Sequence, residues 1–128
     1  MTSEVIQILI GNTGVQDVVG TSQITNKYKV YPFVAPEKEK EPFIIVRKAS
    51  NQTTGNANCI GTLDYGTYEV WCWSKVFIKT EQLHEACRMA LETGQGMWLV
   101  NDLDEFDEAS EMYAHVGIYR TNETRSES

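Results

Sequence analysis

Hydrophobic positions recur along this chain in two periods, and each change of period marks the end of an element. Near the N-terminus Val5, Ile8 and Leu9 fall on one helical face, with Ser3 placed to cap and Glu4 in the first turn, before Gly11 stops the run. A brief apolar turn over 15–19 ends at Gly20. Tyr28, Val30 and Pro32 predict an extended segment whose hydrogen bonding must stop at the proline. Between Pro36 and Pro42 the charges alternate as Glu37-Lys38-Glu39-Lys40-Glu41, the pattern of a solvated loop. Residues 43–46, Phe-Ile-Ile-Val, then read as a buried strand, and 50–61 as a polar loop rich in Asn, Thr and Gly.

Over 67–73 the period is two. Tyr68, Val70 and Cys72 share one face, and Glu69, Trp71 and Trp73 share the other, so both faces are apolar toward the strand's end. Ser74 is placed to cap a main helix over about 75–93, where Leu83, Ala86, Cys87, Ala90 and Leu91 form a stripe and Gly94 supplies a left-handed cap. Glu81, Glu85, Arg88 and Glu92 occupy the opposite side of that helix, where Glu85 with Arg88 and Arg88 with Glu92 are in i,i+3 and i,i+4 reach. Two more strands follow, over 97–103 and 112–120. In the second, Met112, Ala114, Val116 and Ile118 face one way and Tyr113, His115 and Tyr119 the other. The acidic residues between these strands form a hairpin connection or strand ends. The order predicts an α+β domain over 1–121: an antiparallel or mixed sheet of about five strands, with the main helix and a short N-terminal helix packed on one face. Residues 122–128 read as a disordered polar tail.

Length and composition narrow the classes of function. With 128 residues, 41% of them hydrophobic, the chain can build one ordinary core and leaves no room for a second catalytic domain. The net charge is −7, and it is unevenly placed: residues 1–96 sum to −1 and residues 97–128 to −6. Such a surplus repels phosphate backbones, so specific nucleic-acid binding is not expected. The apolar run 5–10 is short, interrupted by Gln7 and preceded by Glu4, unlike an export signal. No stretch approaches the roughly 20 apolar residues needed to cross a bilayer. The expectation is a soluble intracellular protein with no membrane contact. Cys59, Cys72 and Cys87 are odd in number and lack C-x-x-C spacing, which predicts reduced, mostly buried thiols. The N-x-T sequons at Asn51 and Asn122 carry no meaning without secretion.

Candidate chemistry is sparse. The six acids within 102–111 lack the Gly and the terminal Glu of a calcium loop and read as a solvated acidic surface. A nucleophile with a histidine base could be drawn from Cys87 and His84, but Cys87 already belongs to the helical stripe. No dinucleotide, Walker, zincin or nucleophile-elbow motif is present, so no catalytic residue, metal ligand or cofactor is expected. Trp71 and Trp73 carry more weight. They lie opposite Tyr68, Val70 and Cys72, and in a sheet with helices on one side only, either the chain's own loops or a partner must cover one of these faces.

These segments together resemble a known family. The N-terminal short helix ending near Val18-Val19-Gly20 is similar to that of the bacteriophage tail completion, or tail terminator, proteins of the head–tail joint. So are Val30-Tyr31-Pro32-Phe33-Val34-Ala35-Pro36, Pro42-Phe43-Ile44-Ile45-Val46 and Tyr68-Glu69-Val70-Trp71-Cys72-Trp73. The helix carrying Leu83, Ala86 and Leu91 and the final Gly117-Ile118-Tyr119-Arg120 complete the order. The likeness covers about 3–121. The acidic stretch 102–111 and the Asn-rich loop 51–58 have no counterpart in that family. The resemblance implies a non-catalytic virion subunit, made in the bacterial host cytoplasm, that forms a homo-oligomeric ring, commonly of six copies. Its partners would be itself, the tail tube protein and the head connector. Tyr31, Pro32, Phe33, Val34, Pro36, Trp71 and Trp73 are then the expected subunit or partner contacts, and Asp102, Asp104, Glu105, Asp107 and Glu108 the expected acidic lining of the channel. Two alternatives remain: an acidic DNA mimic that occupies a basic partner, and a small metal-dependent hydrolase using the carboxylates with His115.

Overall fold

A computed structural model describes residues 2–48, 67–93 and 96–121. Its elements are α1 (Thr2–Ile10), α2 (Thr13–Val19), β1 (Val30–Pro32), β2 (Phe43–Lys48), β3 (Thr67–Ser74), α3 (Phe77–Glu92), β4 (Met97–Asp107) and β5 (Met112–Thr121). The five strands form one mixed sheet in the order β1-β2-β3-β5-β4. β1 runs parallel to β2, and the remaining pairs are antiparallel. The fold is α+β, with a five-stranded mixed sheet, one main helix and short N-terminal helices. Among the described residues no helix is long and apolar enough to cross a membrane.

All three helices bury their apolar stripes in one core on one face of the sheet. Val5 and Leu9 of α1, Val15 and Val19 of α2, and Leu83, Cys87, Ala90 and Leu91 of α3 meet Ile44 and Val46 of β2, Tyr68, Val70 and Cys72 of β3, and Tyr119 of β5. The period of two in β3 therefore becomes strict alternation, every second side chain from Tyr68 to Ser74 being buried. Each fully buried Leu or Val contributes roughly 1.5–3 kcal/mol, so this single layer is the main source of stability. Cys72 and Cys87 are buried free thiols within it.

Several local expectations are corrected. The turn over 15–19 is a full helix, α2, because Asn12 caps it: its Oδ1 accepts the Val15 N–H at 3.0 Å. Helix α1 already begins at Thr2, which puts Ser3 inside the first turn and not at the cap. Ser74 does not cap α3 either. The ladder with β5 continues to the pair Ser74–Tyr113 and holds Ser74 in the strand, so the N-cap is Val76, which has no side chain able to cap. Ser74 Oγ instead donates to Glu41 Oε1 at 2.9 Å and accepts the Val76 N–H. The strand expected over 97–103 extends to Asp107, because pairing with β5 persists to Asp107–Met112 and makes the acidic residues part of a strand. Asp107 then closes the turn, its carboxylate accepting from the Ser110 N–H and hydroxyl. The Gly94 cap, the loop 50–61 with Cys59, both sequons and the tail 122–128 lie outside the described residues.

Candidate functional site

The face of the sheet opposite the helices carries the tryptophans. Trp71 and Trp73, two residues apart on β3, stack with ring centroids 5.7 Å apart and planes at 17°. Trp71 is held from both ends. Arg47 lies over its ring at 4.7 Å, and its Nε1 donates to Glu69 at 2.9 Å, while Glu69 also pairs with Arg47 at 3.3 Å. Their cross-strand partners Val116 and Ala114 are buried on this same face. Among the described residues no helix covers it, and both indoles stay half-buried.

At one end of this face a groove of about 360 Å³ is lined by Phe33, Val34, Pro36, Ile45, Trp73 and Met112. Four of the seven contact residues expected from the sequence, Phe33, Val34, Pro36 and Trp73, thus converge in one place. Phe33 and Val34 are strongly exposed, at 56% and 71%. Tyr31, Pro32 and Trp71 lie outside the groove's lining. Tyr31 and Pro32 belong to β1, an edge of the sheet, as a segment ended by proline must. The Tyr31 hydroxyl donates to Glu39, and burial followed by that carboxylate raises its pKa above the usual phenol value.

Alternation along β4 divides the acidic residues. Asp102 and Asp104 pair with Gly117 and His115 and share the helix-facing side; Glu105 and Asp107 point to the opposite side, and Glu108 lies in the turn. All five are exposed. Exposed apolar side chains are interspersed among them on β4: Trp98, Val100, Leu103 and Phe106. Phe106 also meets Tyr113, whose ring in turn meets Phe77 edge-on.

Where β4, β5 and α3 meet, both histidines of the chain come together. The rings of His84 and His115 lie 4.0 Å apart, and both direct Nε2 at Asp102 Oδ2, His115 at 2.9 Å and His84 at 3.7 Å. On its far side, His115 Nδ1 lies 3.0 Å from Asp104 Oδ1 but is buried without a hydrogen bond. The His115 hydrogen bond holds the Asp102 carboxyl below the usual range. Burial, then the neighbouring His115, lowers the pKa of His84. Gly117 makes the arrangement possible: a Cβ there would stand 3.1 Å from His84 Cε1. The hydrolase alternative drawn from the sequence paired the carboxylates with His115, but sequence reasoning did not bring His84 to them. The two histidines sit on a helix and a strand far apart in the chain, and only the β4–β5 register brings Asp102 and Asp104 alongside His115.

The Cys87–His84 pair does not form a nucleophilic site. Cys87 is fully buried in the helical stripe beside Cys72, whose own thiol is pushed up by burial.

No protein-family profile matches the sequence, and no curated protein is similar to it. A solved chain from a structure titled "Virion of native gene transfer agent (GTA) particle" has the same fold. It superposes with a TM-score of 0.65 at 18% identity, over 92% of this chain and 90% of that chain.

Proposed function

We propose that this protein is a structural subunit of a phage or prophage virion: a tail completion or terminator protein that forms a ring at the head–tail joint and catalyses nothing. One observation carries the reading. An edge strand of 11 residues, β4, exposes Trp98, Val100, Leu103 and Phe106 in a fold that recurs, nearly end to end, in a chain of a virion particle. A long apolar edge is a liability in a monomer and a joint in an assembly. A closed ring of head-to-tail contacts needs two different surfaces on each subunit. β4 and β1 are the opposite edges of this sheet, and the groove with Phe33, Val34, Pro36 and Trp73 starts at the β1 side and runs across the end of the sheet to Asp107, where β4 ends. Tyr31, Pro32 and Trp71 would extend that second surface.

In such a ring Asp102, Asp104, Glu105, Asp107 and Glu108 border the lumen, where fixed negative charge lets DNA pass without sticking. The tail tube and the head connector are the expected neighbours along the axis. Division of the acids between two sides of β4 weighs against a DNA mimic, which needs carboxylates spread over one face.

Light scattering and negative-stain microscopy of the pure protein, alone and with a tail tube protein, test the reading. Rings are expected, commonly of six copies, and Val100→Asp combined with Leu103→Asp should leave a folded monomer. A protein that stays monomeric in both settings at high concentration would refute the proposal.

A further inference from the structure

We propose that His84, His115 and Asp102 form a binding site for a divalent transition-metal ion of the zinc class, one per chain. The three side chains come from three elements, α3, β5 and β4, and offer ligand atoms that all lie within 4.8 Å of one another. In a tetrahedral zinc site with bonds of about 2.0 Å, ligand atoms stand about 3.3 Å apart. The observed separations from Asp102 Oδ2, 2.9 Å to His115 Nε2 and 3.7 Å to His84 Nε2, bracket that value. Two imidazoles and one carboxylate suit zinc, cobalt or nickel, whereas calcium and magnesium take oxygen ligands.

The surroundings fit as well. Gly117, which pairs with Asp102 across the β4–β5 ladder, leaves the space in which the His84 ring lies beside His115. Asp104 Oδ1 stands 3.0 Å from the buried, unbonded Nδ1 of His115. A metal ligand bound through Nε2 characteristically gives its other ring N–H to a carboxylate, which fixes the tautomer. Asp102 is 44% exposed, so ions can enter from the β4 side and water can complete the coordination. Binding would tie the edge strand β4 to α3. This site does not depend on the ring proposed above.

The experiment uses the full chain without an affinity tag, titrated with Co2+ and with Zn2+ and followed by visible absorption, calorimetry and thermal unfolding. One equivalent should bind, giving the d–d absorption of cobalt without a sulfur-to-metal charge-transfer band, and Zn2+ should raise Tm. Asp102→Asn, an exposed position where the fold is not at stake, should weaken binding at least about tenfold. His115→Gln should do the same, with folding checked by circular dichroism. Glu105→Gln, on the opposite side of β4, should bind as the parent does. Absence of cobalt absorption and of any Tm shift would overturn the proposal, as would unchanged binding in Asp102→Asn. A sulfur charge-transfer band would overturn it too, by assigning the metal to cysteine.

Discussion

Replacing Gly117 with Ala tests whether the bare backbone at this point of β5 is what lets His84 lie on the sheet. The new Cβ would stand 2.8 Å from Tyr119 Cε1, 3.1 Å from His84 Cε1 and 3.2 Å from His84 Nδ1. Tyr119 is 0% exposed, so its ring has nowhere to swing. Overpacking of this kind costs about 1–3 kcal/mol. Acting in the opposite direction, Ala restricts the unfolded chain and favours folding by about 0.4–1 kcal/mol at a position inside an ordinary strand. The clash is the larger effect, and at the middle of both ranges the net loss is about 1.3 kcal/mol. At roughly 3–4 °C per kcal/mol for a domain of this size, the fall in Tm should be easily measured. Urea unfolding should show a lower midpoint with an unchanged slope. Two of the three contacts are to His84, so in a His84→Ala background the same glycine substitution should cost less, with a coupling of about 0.5 kcal/mol or more. A Gly117→Ala protein as stable as the parent would refute this account, and so would strict additivity in the double mutant.

Three further outcomes follow from single contacts. Asn12→Ala removes the Oδ1 that accepts the Val15 N–H and should cost about 1 kcal/mol in urea unfolding. Tyr119→Phe removes a buried hydroxyl with no hydrogen-bond partner among the described residues, so stability should hold or rise by up to about 1 kcal/mol. Glu92 accepts the Leu99 N–H at 2.9 Å and pairs with Arg88 at 3.1 Å; the Leu99 bond leads in holding its carboxyl below the ordinary value. A carboxyl depressed in the folded state stabilises above its unfolded pKa, and that contribution disappears as pH falls through the folded value. The urea midpoint of Glu92→Gln should therefore fall less steeply than the parent's over the acidic range, and parallel slopes would exclude the contribution.

Assembly and metal binding meet at β4, and they can be separated by experiment. Val100 and Leu103 offer apolar surface for a neighbouring subunit, whereas Asp102, between them, turns toward the histidines. Substituting the apolar pair should abolish association and leave the metal titration unchanged; Asp102→Asn should do the reverse.

What could be read from the chain alone was whatever depends on local period. The alternation in 67–73 and the stripe Leu83, Cys87, Ala90, Leu91 identified β3, α3 and the apolar character of both sheet faces, because a side chain's direction in a strand or helix follows from its own few neighbours. Pro32 likewise marked an edge segment, since proline has no N–H for an interior ladder. Only tertiary structure decided that β5 lies between β3 and β4, that the β4 ladder runs on through Asp107, and that Ser74 stays in a strand instead of capping a helix. It also decided that Phe33, Val34 and Trp73 line one groove and that His84 and His115 meet at Asp102. These depend on strand register and on where a helix crosses the sheet, which are settled by packing energies summed over segments distant in sequence, and no local spacing of residues encodes them.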